Sequence, residues 1–235
     1  MIKEQNRLLV MLKENKISEA DYLLISAALN KKSVFTNIEN SLLINPFQKI
    51  AGFRALLLGL LLMITMSLLG VVVNIYFDGS LGFFFPMGLK AAIKPNFFLL
   101  LYQNAAAVFI TASLFMATAL LFRKKRIRVI DFFGTVALAR YPLLISLLFT
   151  MIEKYLDPSR YNEDITKGIE LHLTLIGTIG NLIFLTCIIW QIITYFFALK
   201  EASGLGGKSL WLSFIIAILL SDVAGIILTR LFLYV

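Results

Sequence analysis

Five long apolar runs govern what this chain can become. They cover about residues 55–77, 97–122, 129–152, 171–199 and 210–233. As a helix rising about 1.5 Å per residue, each run can cross a hydrocarbon core of about 30 Å. The core of a bilayer offers no water to backbone N–H and C=O groups, so a lone run crosses it as a helix. The runs take up more than half of the 235 residues and bring the hydrophobic fraction to 59%, where an ordinary soluble domain sits near half. The expected fold is an all-α integral membrane protein. A bundle of five transmembrane helices would occupy residues 51–235, behind a short cytoplasmic amphipathic helical region in residues 1–50.

The polar head begins with helix formers and an apolar cluster at Leu8, Leu9, Met11 and Leu12. Ser18 stands three residues before Asp21, a capping-box spacing. The segment from Ala20 to Asn30 then reads as a second short helix. Ser33 could cap a third, with Phe35, Ile38 and Leu42 on one face, and Asn45-Pro46 stops it. Such helices suit either a membrane-surface hairpin or a docking site for a soluble partner. The N-terminus lacks the apolar core of a cleavable signal peptide, so the first span is expected to serve as the insertion signal.

Charge sets the expected topology. Net charge is +8, from 22 basic and 14 acidic residues. The basic residues cluster beside apolar runs rather than alternating with exposed aromatics, which points to anionic lipid and topology and away from nucleic acid. Arg123, Lys124, Lys125, Arg126 and Arg128 form the densest run, between the second and third spans. With the N-terminus inside, eight Lys and Arg residues in 1–54, five in 123–128 and two in 200–208 lie on the cytoplasmic side. Only Lys90, Lys94, Lys154, Arg160 and Lys167 lie outside. The positive-inside rule therefore predicts a multi-pass protein of the cytoplasmic (inner) membrane, N-terminus in and C-terminus out. Residues 78–96 contain Gly, Pro and aromatics and read as an interfacial connector, with Phe83, Phe84 and Phe85 dipping into the bilayer surface.

Ions inside the spans are the least ordinary chemistry. A charge at mid-bilayer is costly and faces the bundle interior or a partner. Arg140 lies about 13 Å into the third run from Asp131, and Asp222 about 18 Å into the fifth from Leu210, counting 1.5 Å per residue. From the same side, their depths overlap, and they are expected to pair, either as a structural pair or as a proton- or ligand-responsive site. Pro142 breaks a backbone hydrogen bond beside Arg140. Arg54 and Asp131 could pair at the cytoplasmic interface. Arg230 can snorkel at the outer end, with Glu153 as its nearest candidate partner. Ala217, Ser221 and Gly225, each four apart, form a small-residue face suited to close helix packing, as do Thr174, Gly177, Thr178 and Asn181.

Catalytic patterns are missing. The one cysteine, Cys187, and the one histidine, His172, fall in apolar runs and cannot build a metal cluster. No paired intramembrane carboxylates and no Ser elbow occur. Ala202-x4-Gly207-Lys208-Ser209 fits a relaxed phosphate-loop pattern but lies between two membrane helices, and a tight turn explains it. No enzyme activity, cofactor, metal or nucleotide is expected.

Several motifs together resemble the Yip family, the Ypt/Rab-interacting membrane proteins, in its bacterial branch. They are the N-P-F-Q-K-I segment at 45–50, five spans in N-in, C-out order, G-T-V-A-L-A-R-Y-P-L-L-I at 134–145, and the passage at 188–214 through Trp190 and the Gly-rich turn. The D-L-Y-G-P sequence of eukaryotic members is not found before the first span. The resemblance implies a non-enzymatic protein acting through other membrane proteins: an accessory, scaffold or regulator. Some bacterial relatives accompany ABC-type exporters, and homo-oligomers are compatible with the type. The competing expectation is a small solute or ion transporter or channel component, with Arg140, Asp222, Asn104 and Asn181 lining a polar pathway.

Overall fold

The computed structural model describes residues 8–12, 14, 16–27, 41–84, 94–122, 127–156 and 175–230. The chain divides into two units, Met1–Pro46 and Phe47–Val235. In the first, helical turns cover 8–12 and 19–27. The spacing at Ser18 acts as a cap: the Asp21 N–H donates to Ser18 Oγ at 3.1 Å, and the Ser18 hydroxyl donates to the Asp21 carboxylate at 2.7 Å. The third helix proposed around Ser33 lies outside the described residues.

The second unit contains α1 (Gly52–Val73), β1 (Tyr76–Asp78), β2 (Gly82–Phe84), α2 (Phe97–Phe122), α3 (Val129–Leu138), α4 (Tyr141–Leu156), α5 (Leu175–Ser203) and α6 (Gly207–Arg230). Five segments are long and apolar enough to cross a membrane, with α3 and α4 together making the third. The protein is an all-α, multi-pass membrane bundle, as its apolar runs require. α1 packs most extensively on α3, α2 on α6, and α4 on α5. Large apolar side chains such as Leu121, Phe98 and Leu219 are exposed around the bundle, where lipid is their natural solvent.

Lipid gives helices no hydrophobic reason to associate, so close approach and hydrogen bonds must hold the spans together. α1 and α3 meet through glycines: a Cβ at Gly134 would stand 2.8 Å from the Leu56 nitrogen and 2.9 Å from the Gly52 oxygen. At the other end of α1, the Lys154 ammonium donates to the carbonyls of Val72 and Val73, both at 3.1 Å, satisfying orphan groups of the helix terminus. Gly134→Leu therefore drives α1 and α3 apart and lowers folded yield several-fold in a fluorescence-detected size-exclusion assay. Gly206→Ala meets nothing within 4 Å and shifts stability by no more than about 0.5 kcal/mol in the same assay.

Two sequence expectations change. The third run is not one continuous helix: it breaks at Ala139 and Arg140. Pro142 has no N–H, and the Leu143 N–H turns to the Arg140 carbonyl at 3.0 Å. The Ala139 carbonyl, set free by the break, accepts instead from the Thr194 hydroxyl at 2.8 Å. The connector is not purely interfacial either. It opens with an antiparallel hairpin, Tyr76 opposite Phe84 and Asp78 opposite Gly82, that inserts among the helices. Phe83 is buried edge-on against Phe184, ring centroids 4.9 Å apart, rather than lying on a bilayer surface. Phe85 lies outside the described residues.

Candidate functional site

The hairpin grows out of the end of α1. Asn74 adopts a left-handed conformation (φ 66°) and its N–H returns to the Gly70 carbonyl, closing the helix as Asn and Gly do. Gly79, at φ +61°, then starts a three-residue turn, Gly79-Ser80-Leu81. An open strand edge within a membrane needs partners for its N–H groups. Here side chains of the spans supply them. The Phe77 N–H donates to Gln103 Oε1 at 3.0 Å, the Gly79 N–H donates to Thr229 Oγ1 at 3.2 Å, and Gln103 Nε2 closes the set on the Thr229 carbonyl at 3.0 Å. Tyr76 is buried in this layer.

Ser80, at the tip, is the hub. Its carbonyl oxygen accepts from Gln191 Nε2 at 2.8 Å, the Tyr195 hydroxyl at 3.1 Å and Arg140 Nη1 at 3.3 Å. Its N–H and its hydroxyl both donate to Asp222 Oδ1 at 3.2 Å, and its Oγ lies 3.3 Å from Ser221 Oγ. Asp222 is eight residues from Arg230, so the tip reaches about 12 Å inward from that end of α6. Arg140 is 0% exposed. Its Nη2 donates to Asn104 Oδ1 at 3.2 Å, Asn104 Nδ2 donates to Ser67 Oγ at 3.1 Å, and the Ser67 hydroxyl donates to the Met63 carbonyl. A polar chain thus runs from the helix break through α2 to α1. Two buried atoms in the hub have no hydrogen-bond partner among the described residues: Arg140 Nε and Gln191 Oε1.

Arg140 and Asp222 are brought to the same place but make no direct ion pair among the described residues. One residue, Ser80, separates them and bonds to both. Span depth alone does not reveal the hairpin between them. Asn104 joins Arg140, whereas Asn181 is exposed on α5. Arg54 and Asp131 form no ion pair among the described residues. Arg54 is exposed and free to meet headgroups, while Asp131 lies in the first turn of α3, where the helix dipole favours a carboxylate. Arg128 precedes that helix and is exposed, and Arg123, Lys124, Lys125 and Arg126 lie outside the described residues, as does His172. The face of Ala217, Ser221 and Gly225 is buried. Part of it receives hairpin backbone rather than another helix: a Cβ at Gly225 would stand 3.0 Å from Gly79 Cα.

Arg230 pairs with Asp78 of the hairpin rather than with Glu153, through two N–H···O contacts. The guanidinium fork reads a carboxylate edge, and it clamps β1 to the end of α6. Asp78→Ala is expected to lower stability by about 1 kcal/mol, the scale of a partly exposed pair. The swap Asp78→Arg with Arg230→Asp recovers part of that loss in a detergent thermal-shift assay. Glu153 is buried against Gly180.

The participants not anticipated include Ser80, Gln103, Gln191, Tyr195 and Asp78. Two signals for them exist in the chain. Gln103 and Gln191 are amides inside apolar runs, where an unpaired amide is costly. Asp78-Gly79 is a hairpin dipeptide flanked by apolar residues. Tyr195 carries no such mark. Comparison with protein-family models, curated proteins and solved structures finds no match to this chain.

Proposed function

We propose that this membrane protein acts without catalysis, as an accessory, scaffold or regulator of another membrane assembly, in the manner implied by its resemblance to the bacterial Yip branch. The observation that carries this reading is the closed centre of the bundle. Ser80, Arg140, Asn104, Gln191 and Tyr195 are all fully buried, and their polar groups bond mainly to one another rather than lining an open path. A bundle sealed in this way works through its surfaces. The cytoplasmic membrane, with the N-terminus inside, is the location that the distribution of Lys and Arg favours. The experiment is co-purification in mild detergent with mass spectrometry. Recovery of a stoichiometric ABC-type exporter or another defined membrane complex supports the reading, and a protein that remains solitary in the native membrane overturns it.

One observation favours a second reading, a small solute or ion transporter or channel component. Broken helices and buried ions at mid-membrane are features of solute pathways, and the break at Ala139-Arg140 puts a guanidinium there. Proteoliposome flux that disappears in Arg140→Gln, with fold retained, would establish this alternative.

A further inference from the structure

We infer that the space filled by the Ser80 peptide is a binding site for a small zwitterion of the α-amino-acid class, with the hairpin tip as its tethered occupant. The inference goes beyond the accessory reading: the centre is closed only while Ser80 fills it, and the partly exposed Asp222 marks the side on which it can open.

The walls of the site are mismatched to a neutral peptide. Three donors, one of them a permanent cation, converge on the Ser80 carbonyl oxygen, which has only two lone pairs. A carboxylate offers about four acceptor positions and a charge to match the guanidinium. On the opposite wall, the Asp222 carboxylate faces an amide N–H, where an ammonium would form the stronger, charge-assisted bond.

The spacing of the walls follows from what now fills them. Ser80 turns its own nitrogen toward Asp222 and its own carbonyl toward Arg140. These are the atoms that become the ammonium and carboxylate of a free amino acid. The Ser80 hydroxyl, against Asp222 and Ser221, marks room for a short polar side chain. A single-charge ligand would leave either the buried Arg140 or the partly buried Asp222 uncompensated, and a site built for both charges discriminates against it. The tethered tip competes at an effective concentration of order millimolar, so a free ligand should act only in that range.

L-serine is the probe. Leu81, partly buried beside the tip, is replaced by cysteine in a Cys187→Ser background, which leaves Ser80 and both charged walls in place. The full chain in lipid nanodiscs is labelled with a maleimide. Millimolar L-serine is expected to accelerate labelling several-fold and saturably as the tip is displaced, whereas glycolate and ethanolamine, which each carry one of the two charges, are not. In the same protein, Asp222→Asn should weaken the L-serine response about tenfold, the scale of one lost charge-assisted bond. The proposal is overturned if L-serine leaves the labelling rate unchanged, or if all three compounds change it equally. Either result would make the hairpin tip a permanent structural plug. The glycolate and ethanolamine arms use the same folded protein, so a poorly folding Asp222 variant does not remove the test.

Discussion

Arg140→Leu should destabilise the folded protein by about 3–5 kcal/mol, the cost of removing one member of a buried charged network. The loss has three parts. The Ser80 carbonyl and Asn104 Oδ1 each lose a charge-assisted donor. Asp222 keeps its contacts with Ser80 but loses the positive charge beyond it. The turn at Ala139-Arg140 also loses the side chain that ties it to α2. Steric trapping in bicelles or thermal melting in detergent reads the effect. Arg140→Lys should recover little, because an ammonium is a point donor that cannot reproduce the fork joining Ser80 and Asn104. In a cycle with Asp222→Asn, the double variant should be less damaged than the sum of the singles by about 1 kcal/mol or more. Purely additive losses would show that the two ions do not act as a unit through Ser80.

Gly79→Val should have the second-largest effect, and through a different cause. Gly79 sits at φ +61°, which a β-branched residue rarely adopts. Its Cβ would stand 2.7 Å from Asp222 Oδ1 and 3.2 Å from the Asp222 carbonyl oxygen. The helix backbone cannot yield, so the tip must. Expulsion of the tip strips the Ser80 carbonyl from three donors at once and leaves Arg140, Gln191, Tyr195 and Asp222 facing an emptied space. A stability loss of about 3 kcal/mol or more is expected, with the spans themselves retained by circular dichroism. Proteolysis within the connector should also become faster. A Gly79→Val protein as stable and as protease-resistant as the parent would mean that the hairpin is not held in the bundle.

Much of the architecture is legible from one dimension. The spans follow from apolar run length, and the second is placed at residues 97–122 both by sequence and by structure. The others shift by a few residues, because helix ends depend on caps such as Asn74 and on turn glycines such as Gly204 rather than on hydropathy. The polar hub is only half legible. Arg140, Asp222 and Asn104 stand out because an ion or amide in an apolar run must find a partner. Ser80 does not, because it lies in a polar connector where a serine is ordinary and its importance comes from a backbone carbonyl.

The membrane class, the number of crossings and the depth of Arg140 and Asp222 are consequences of composition along the chain. They need only the length of a helix turn and the cost of taking charge out of water. Which groups meet at that depth is settled by tertiary structure. Pro142 and the freed Ala139 carbonyl open the third span at Arg140, and Gly79 and Gly225 allow the hairpin backbone to come close enough for Ser80 to enter. The ions are therefore joined through a peptide that neither span contains. A sequence reading pairs side chains by depth, but the low dielectric of the bundle rewards any well-placed dipole, and here the best-placed dipole belongs to the connector.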